Sequence, residues 1–553
     1  MPIEKNQNGF SLACYPGDGA VLLAFNLDED KIDNLAGFAV KCKAPPTETY
    51  KTDEYWVKNR LNFEKPLTAK EKLTPTKWTA SNKAPFQTFH WTHFPNAGPG
   101  KYTYTTYPVY FDGADLKLAN GLAIDVDLTR QICPDFELGF TRGYISSQAY
   151  TDKFGNARIQ PKIKAMDFPT DDYKKQYIWL GSHARDILFK LLEESIQDNS
   201  ITLDVFAYDF NEPDIIRDLC EMGLRIRVFM DDSTSHIKET ALEPKTKDAL
   251  TAAGARVETG KFGRFAHNKV LIQKKNGVPV KVLTGSANFS VRGLYVQANS
   301  ILLFDDPEIA KLYETAFEQA FSDSKGFKKS EIARRWHGAK IDNGSPISIS
   351  FAPHTKAFSL DRVAEAVESA RSSLMFAMME VGGTGPVMDI FKKLGEKENL
   401  YSMGTIEKRG QLALFKPGRE NQPAVTSFAY LKKNTPKPFK DEVSGGAGQV
   451  IHHKFIVCDF NDKSPLVFCG SSNFSEGGEK SNGDNLIAIH DPDIAAYYSV
   501  EAIRLYDHYR FRSQQEVSTS ENPLKLAADD KWTSRYYNPK DIKYKERRLF
   551  CQN

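Results

Sequence analysis

"IHHKFIVCDFNDKSPLVFCGSSNFS", Ile451 to Ser475, repeats the plan of "AHNKVLIQKKNGVPVKVLTGSANFS", Ala266 to Ser290. Each stretch has a His-x-Lys pair, an apolar run, a turn, a second apolar run and Gly-Ser-x-Asn-Phe-Ser. In the first copy "KVLIQKK" reads as a strand, Asn276-Gly277 as a two-residue hairpin turn and "VPVKVLTGS" as the antiparallel return. His267 and Lys269, two apart on a strand, leave on one face, and the hairpin brings Asn288 back beside them. His452, Lys454 and Asn473 repeat the arrangement around "FIVCDF" and "PLVFCG". The interval from histidine to asparagine is 21 residues in both copies, from 267 to 288 and from 452 to 473. A single solvated His and Lys at a strand end is ordinary. Two matched sets in one register point to function.

Outward from each motif the texture alternates. Ahead of the first lie "ARDILFKLLEESI" with helical spacing, "ITLDVFAYDF" as a strand, "DIIRDLCEMGL" as a helix and "RIRVFMDD" as a buried strand. Ahead of the second lie "SLDRVAEAVESARSS", "LMFAMMEV", "VMDIFKKLGEK" and "NLYSMGTIE" in the same order. Such alternation implies α/β layers on a largely parallel or mixed sheet, and two repeats of this size are domains rather than a solenoid. The expected lobes are 171–335 and 346–512, joined near "HGAKIDNGSP", with a C-terminal tail over 513–553. The second copy is interrupted between Lys408 and Val450 by an insert too long for a simple connection, expected to be a lid or substrate loop.

Residues 1–135 read as short strands between turn signals, a β-sandwich that resembles a fibronectin-type module. His90 and His93 in "HWTH" invite a metal reading, but three apart on a strand they point to opposite faces, and the domain is assigned no chemistry. Residues 136–170 lack sustained periodicity and read as a linker.

With 73 Lys and Arg against 71 Asp and Glu, the chain has no global basic field, so any attraction for an anion is local. Seven cysteines without a C-x-x-C pair fit a reducing compartment better than a disulfide framework or zinc site. The opening residues lack a signal-peptide pattern and no run approaches a membrane span, so the expected location is the cytoplasm, with signal-less secretion leaving the same sequence.

The paired H-x-K and G-S-x-N motifs resemble those of the phospholipase D superfamily, and two copies in one chain resemble its fused, two-lobed members. The likeness covers about 171–512. It implies a multidomain fold, an N-terminal β-sandwich followed by two α/β phospholipase-D-like lobes packed as a pseudo-dimer, so that a monomer holds a complete site. It implies phosphodiester chemistry through a covalent phosphohistidine. One neutral imidazole attacks phosphorus while a second, protonated one opposite gives its proton to the departing oxygen. One histidine cannot do both, hence the duplication. Lys269, Lys454, Asn288 and Asn473 would hold the non-bridging oxygens, and no metal or other cofactor is required. Ser286 and Ser471 orient the phosphate or cap a turn. His453 faces away from the site. Asn288 and Asn473 also satisfy N-x-S, read as an accidental glycosylation match.

The family places an acid five residues after the motif lysine. Asp459 fills that place in the second copy and Lys274 stands there in the first. An acid before an asparagine downstream of G-S-x-N orients the histidine in many relatives. Asp484 precedes Asn485, whereas Ala298 precedes Asn299. Family tendency favours His267 as nucleophile and His452 as acid, while an aspartate partner at His452 would support the reverse.

For substrate, Lys261, Arg264, Lys269, Lys274 and Lys275 crowd the first motif, and the insert adds Lys408, Arg409, Lys416, Arg419, Lys432, Lys433, Lys437 and Lys440. Such charge suits a phosphate backbone, and Tyr401, Phe415, Phe428 and Tyr430 offer rings for base stacking or for packing the insert. The favoured partner is nucleic acid. A phospholipid substrate is the rival, and a catalytically dead binding scaffold is the alternative from another class.

Overall fold

The computed structural model describes residues 2–46, 54–64, 78–95, 97–129, 132–143, 148–162, 165–379, 383–394, 397, 399–407, 424–427 and 450–551. Among these, two large sheets carry the repeated motifs. The first orders its seven strands Phe136–Phe140, Ser300–Phe304, Val278–Gly285, Val270–Lys275, Ile201–Ala207, Ile226–Asp231, Arg256–Gly260. The second orders eight: His337–Lys340, Pro346–Ala352, Asp484–Ile489, Leu466–Gly470, Lys454–Cys458, Ser373–Met378, Tyr401–Ile406, Ala424–Ser427. Apart from the added edge strand His337–Lys340, the two orders correspond strand for strand. In both, the last three strands run parallel and the hairpin strands are antiparallel.

Burial on both faces explains the apolar strands. One face of each sheet is covered by its own amphipathic helices, Lys174–Gln197 and Pro213–Met222 on the first, Ser359–Ser369 and Pro386–Lys393 on the second. The opposite faces share one core around the helices Pro307–Asp323 and Pro492–Val517. The spacing of Ile215, Ile216, Leu219 and Met222, all buried, shows why the helix Pro213–Met222 lies where it does.

Several expected boundaries differ. The linker 136–170 opens with Phe136–Phe140, which pairs with Ser300–Phe304 as the edge of the first sheet. Its polar surroundings hid a five-residue strand with buried Phe136, Leu138 and Phe140. The helix Pro492–Val517 runs through the lobe end expected at 512. The tail is not a loose appendage: Tyr15 Oη donates to the Phe550 carbonyl at 2.8 Å, and Trp532 and Tyr536 pack into the N-terminal core.

The N-terminal residues form a four-stranded and a five-stranded sheet that face each other across a shared core including Phe25, Phe38 and Tyr104. His90 and His93 do have separate partners: His90 lies against Asp507 and Glu546, and His93 Nδ1 meets Tyr104 Oη at 2.9 Å.

The hairpins have a turn chemistry legible in their residues. Asn276 and Gly277 take φ of 52° and 80°, the double left-handed conformation of a tight hairpin. Gly285, at φ 142°, lies where a Cβ would come within 2.2 Å of the Ser300 carbonyl, and Gly470, at φ 128°, repeats this against Asn485. Asp459 accepts bonds from the backbone N–H groups of Arg371, Ser372 and Ser373, tying the second hairpin to the start of the neighbouring strand. In the first sheet Lys274 reaches Asp204 at 2.6 Å instead, so the same corner is held by the opposite charge. Asp459→Ala should lower unfolding stability by about 2 kcal/mol, since it strands several donors. Urea denaturation would read this as a lower midpoint at unchanged m.

Candidate active site

The two sheets meet along two short seams. Phe265 bridges to Asn482 on one, and Ala298 to Ile451 on the other. Each seam delivers a motif histidine to a residue of the opposite copy. His267 Nδ1 lies 2.6 Å from Asp484 Oδ1, and His452 Nδ1 lies 2.8 Å from Asn299 Oδ1. Sheet register makes Asn299 the counterpart of Asp484: Gly285 pairs with Ile301 and Gly470 with Leu486, two residues beyond each. The alignment of Ala298 with Asp484 expected from sequence is therefore off by one residue, and the expected alternative of an aspartate partner at His452 is overturned, because the partners are exchanged between copies.

The serines of G-S-x-N set these partners. Ser286 Oγ donates to Asn299 Oδ1 at 2.9 Å and Ser471 Oγ to Asp484 Oδ1 at 2.9 Å. Asn299 Nδ2 donates to the Gly293 carbonyl at 2.8 Å, which leaves its Oδ1 for the His452 N–H. The second serine of each motif caps a helix: Ser290 accepts from the Gly293 N–H and Ser475 from the Gly478 N–H.

Both histidines precede their strands, which begin at Val270 and Lys454. Lys269 and Lys454 each donate to the carbonyl of the histidine two residues before. His267, Lys269, His452 and Lys454 are all buried. Burial and the Lys269 charge hold His267 below the ordinary imidazole value despite Asp484, and burial, Lys454 and Lys269 push His452 well below it. Burial takes Lys269 down to about 8 and carries Lys454 well below its ordinary value. Burial opposes the charge of Asp484, but His267 and Lys269 outweigh it and keep the carboxyl below the usual range. Four nitrogen bases so crowded favour an incoming anion.

Asn288 and Asn473 are placed at the ends of their return segments; Asn288 Nδ2 donates to Asp209 Oδ2 at 2.8 Å, and the Oδ1 atoms of both asparagines are buried without a hydrogen bond. His453 is turned away onto Glu501 at 2.8 Å.

Sequence reading missed a further set. Asp231, at the end of its strand, accepts from the Ala266 N–H at 2.6 Å, and Glu407, one residue past the matching strand, accepts from the N–H groups of Val450 and Ile451 at 2.9 and 2.8 Å. These carboxylates pin the chain just before each histidine. The signal was an acid closing "RIRVFMD" and "NLYSMGTIE" alike. His236 bridges Asp231 at 2.8 Å and Asp209 at 2.9 Å, and Tyr208 stands edge-on between the rings of His236 and His267. Asp209, His236 and Glu243 group closely enough for a metal, as do Asp204, Glu314 and Glu318. In the first group both His236 nitrogens face carboxylates; in the second Lys274 and Arg227 bind Asp204.

Of the expected basic residues, Lys274 is buried on Asp204 and Lys275 pairs with Asp198 at 3.0 Å, away from the histidines. Tyr401 is buried, its hydroxyl on Glu546 at 3.1 Å, and offers no face to a base. Lys408, Arg409, Lys416, Arg419, Lys432, Lys433, Lys437, Lys440, Phe415, Phe428 and Tyr430 lie outside the described residues; within the insert, Ala424–Ser427 pairs parallel to Tyr401–Ile406.

The sequence matches the family described as cardiolipin synthase, PLD-like domain, over residues 192–321 and 413–506. It is 26% identical over 125 residues to the mitochondrial cardiolipin hydrolase of Xenopus tropicalis, a match covering 22% of this chain and 55% of that protein. The chain thus spans about half the length of the curated relatives it matches. The phospholipase D family member Nuc from Salmonella typhimurium is 19% identical, covers 24% of this chain and 86% of its own, and superposes with a TM-score of 0.22. Polyphosphate kinase from Porphyromonas gingivalis is 10% identical, covers 90% and 79%, and gives 0.41.

Burial works against a charged His236, but Asp209 and Asp231 raise it to about 9. Its value in the unfolded chain is near 6.5. The stabilisation is therefore present in full below about pH 6.5 and lost as pH rises through about 9. Facing groups are Asp209, Asp231, Tyr208 and Glu243. Chemical denaturation at pH 7 and pH 10 should show wild type losing about 2–3 kcal/mol more than His236→Gln.

Proposed function

Since the chain belongs to the phospholipase D superfamily, we propose that it is a cytoplasmic, metal-independent phosphodiesterase that works through a phosphohistidine and cuts nucleic acid. The two sheets act as a pseudo-dimer within one chain, so a monomer is competent, and the N-terminal sheets serve as a fibronectin-type-like support. The crossed pairing of His267 with Asp484 and His452 with Asn299 carries this reading.

A carboxylate on Nδ1 leaves Nε2 of His267 as the free lone pair, makes it more nucleophilic and stabilises the cation formed when it bonds to phosphorus. An amide oxygen on Nδ1 of His452 orients the ring with less stabilisation of its charge, which suits a proton donor. Nε2 of His267 attacks phosphorus, the bond from phosphorus to the leaving oxygen breaks, and His452 gives that oxygen its proton. Water then attacks, His452 takes a proton from it, and the phosphorus–nitrogen bond breaks to restore His267. Lys269, Lys454, Asn288 and Asn473 bind the non-bridging oxygens. The phosphate charge counters the mutual repulsion of the cations, so its binding raises the proton affinity of His452 and arms the acid.

The cardiolipin names of the matched family and of the Xenopus relatives favour a second reading, cleavage of a phospholipid head group.

His267→Ala should abolish turnover of every substrate in excess EDTA. His452→Ala should lose about 10²–10⁴-fold on an alkoxide leaving group and far less on p-nitrophenolate, which needs no acid. An alkaline quench of His452→Ala should trap phosphate on His267. Loss of wild-type activity in EDTA, or equal losses on both leaving groups, would refute the mechanism; turnover of phospholipid vesicles with no cleavage of DNA or RNA would transfer it to the second reading.

Asp484→Asn removes the carboxylate while keeping an acceptor for His267. It should lower kcat by about 10²–10⁴-fold with little change in KM, as steady-state kinetics on a p-nitrophenyl phosphodiester would show.

A further inference from the structure

The seam between Phe265 and Asn482 runs directly to the crossed contact, since His267 lies two residues past one and Asp484 two past the other. The segment joining the two lobes passes over the same end of the sheets. Ser324 Oγ donates to the Lys261 carbonyl at 3.2 Å, and Phe327 meets Phe262 edge-on with centroids 5.1 Å apart. Farther along, the Ala333 carbonyl accepts from His354 Nδ1 at 2.6 Å, while the His354 N–H donates to the Glu479 carbonyl at 2.9 Å. The connector is thus tied to both walls of the seam.

Its sequence, "SKGFKKSEIARRW" from Ser324 to Trp336, has five basic residues and one acid. Arg334 pairs with that acid, Glu331. Lys325, Lys328, Lys329 and Arg335 are exposed and form no ion pair among the described residues. Nearer the histidine, exposed Lys261 has only a loose contact with Asp232 at 3.8 Å, and exposed Arg264 lies 4.8 Å over the Phe265 ring with its Nε on Asn482 Oδ1 at 3.0 Å. Like charges held together repel, so an arrangement of this kind has its use in a polyanion.

The polyanion is better matched by a strand than by a membrane. Large apolar side chains exposed among the described residues are Ile3, Tyr55, Leu118, Ile178, Leu224, Ile237 and Val278, and none falls in 261–265 or 324–358. Surface attachment to lipid combines basic charge with inserted apolar groups, which the described residues of this face lack. His267 is only 6% exposed, which suits a phosphate carried in on a narrow, extended backbone past the half-buried Phe265 and the Arg264 over its ring.

We propose that Lys261, Arg264, Lys325, Lys328, Lys329 and Arg335 form an entry track for the backbone of a single-stranded nucleic acid, running along this seam and delivering one phosphate to His267. The track rests on the phosphodiesterase reading above but is testable apart from it.

The test reverses three charges on the connector, K328E/K329E/R335E, in the full chain. Affinity for single-stranded DNA of about 20 nucleotides should fall at least about 10-fold, and the slope of log K against log salt should shrink by about 2. kcat/KM on that DNA should fall at least about 10-fold relative to kcat/KM on bis(p-nitrophenyl) phosphate. In case the triple variant folds poorly, K328Q and R335Q singly should each shrink the slope by about 0.7 at unchanged melting temperature. An unchanged slope and unchanged DNA preference would overturn the track, as would loss of binding to anionic phosphatidylserine vesicles with DNA binding intact. If wild type fails to hydrolyse the reporter, the phosphodiesterase reading fails, while DNA binding by His267→Asn with and without the three reversals still decides the track.

Discussion

Two hydrogen bonds that cross between the repeats, His267 to Asp484 and His452 to Asn299, set the terms for the rest of the molecule. An imidazole out of water needs a fixed acceptor on one nitrogen if the other is to present a defined lone pair or proton. Each lobe alone would supply a histidine but not the atom that orients it. The sheets must therefore lie close with their strand ends in register, and the helices Pro307–Asp323 and Pro492–Val517, packed in one core between them, hold that placement.

Charge burial is the other governing cost. Two lysines and two histidines withdrawn from solvent disfavour one another's charged forms, and the chain answers with carboxylates that are mostly engaged elsewhere. Asp231 and Glu407 grip backbone, and Asp209 holds Asn288 and His236. Among the described residues, Asp484 is the carboxylate that touches a motif imidazole directly. The centre is thus left short of negative charge, a state that an anion would relieve and that water-exposed residues would not sustain.

Much of this was legible in the residues. The H-x-K and G-S-x-N spacing, the Asn276-Gly277 turn and the alternation of helix and strand depend on local geometry, which a sequence displays openly. Asn299 and Asp484 each lie 11 residues past their motif asparagines, 288 and 473, so their equivalence, which the pairing of Gly285 with Ile301 bears out, was open in the spacing too. What stayed hidden depends on three dimensions. The exchange of partners between copies has no local signature at all. Phe136–Phe140 is too short to announce itself and becomes a strand because Ser300–Phe304 has a free edge. Asp231 and Glu407 were visible as acids ending apolar strands, but their task is to hold amides whose neighbours are fixed by the hairpin.

The exchanged partners bind the histories of the two repeats together. After a duplication, one copy is ordinarily released to drift while the other keeps the work. Here a change of charge at 484 is felt at 267, and a change at 299 is felt at 452, so neither repeat holds a complete inheritance. Divergence remains open to features served within one repeat, as in the opposite solutions of Lys274 and Asp459 at the same hairpin corner.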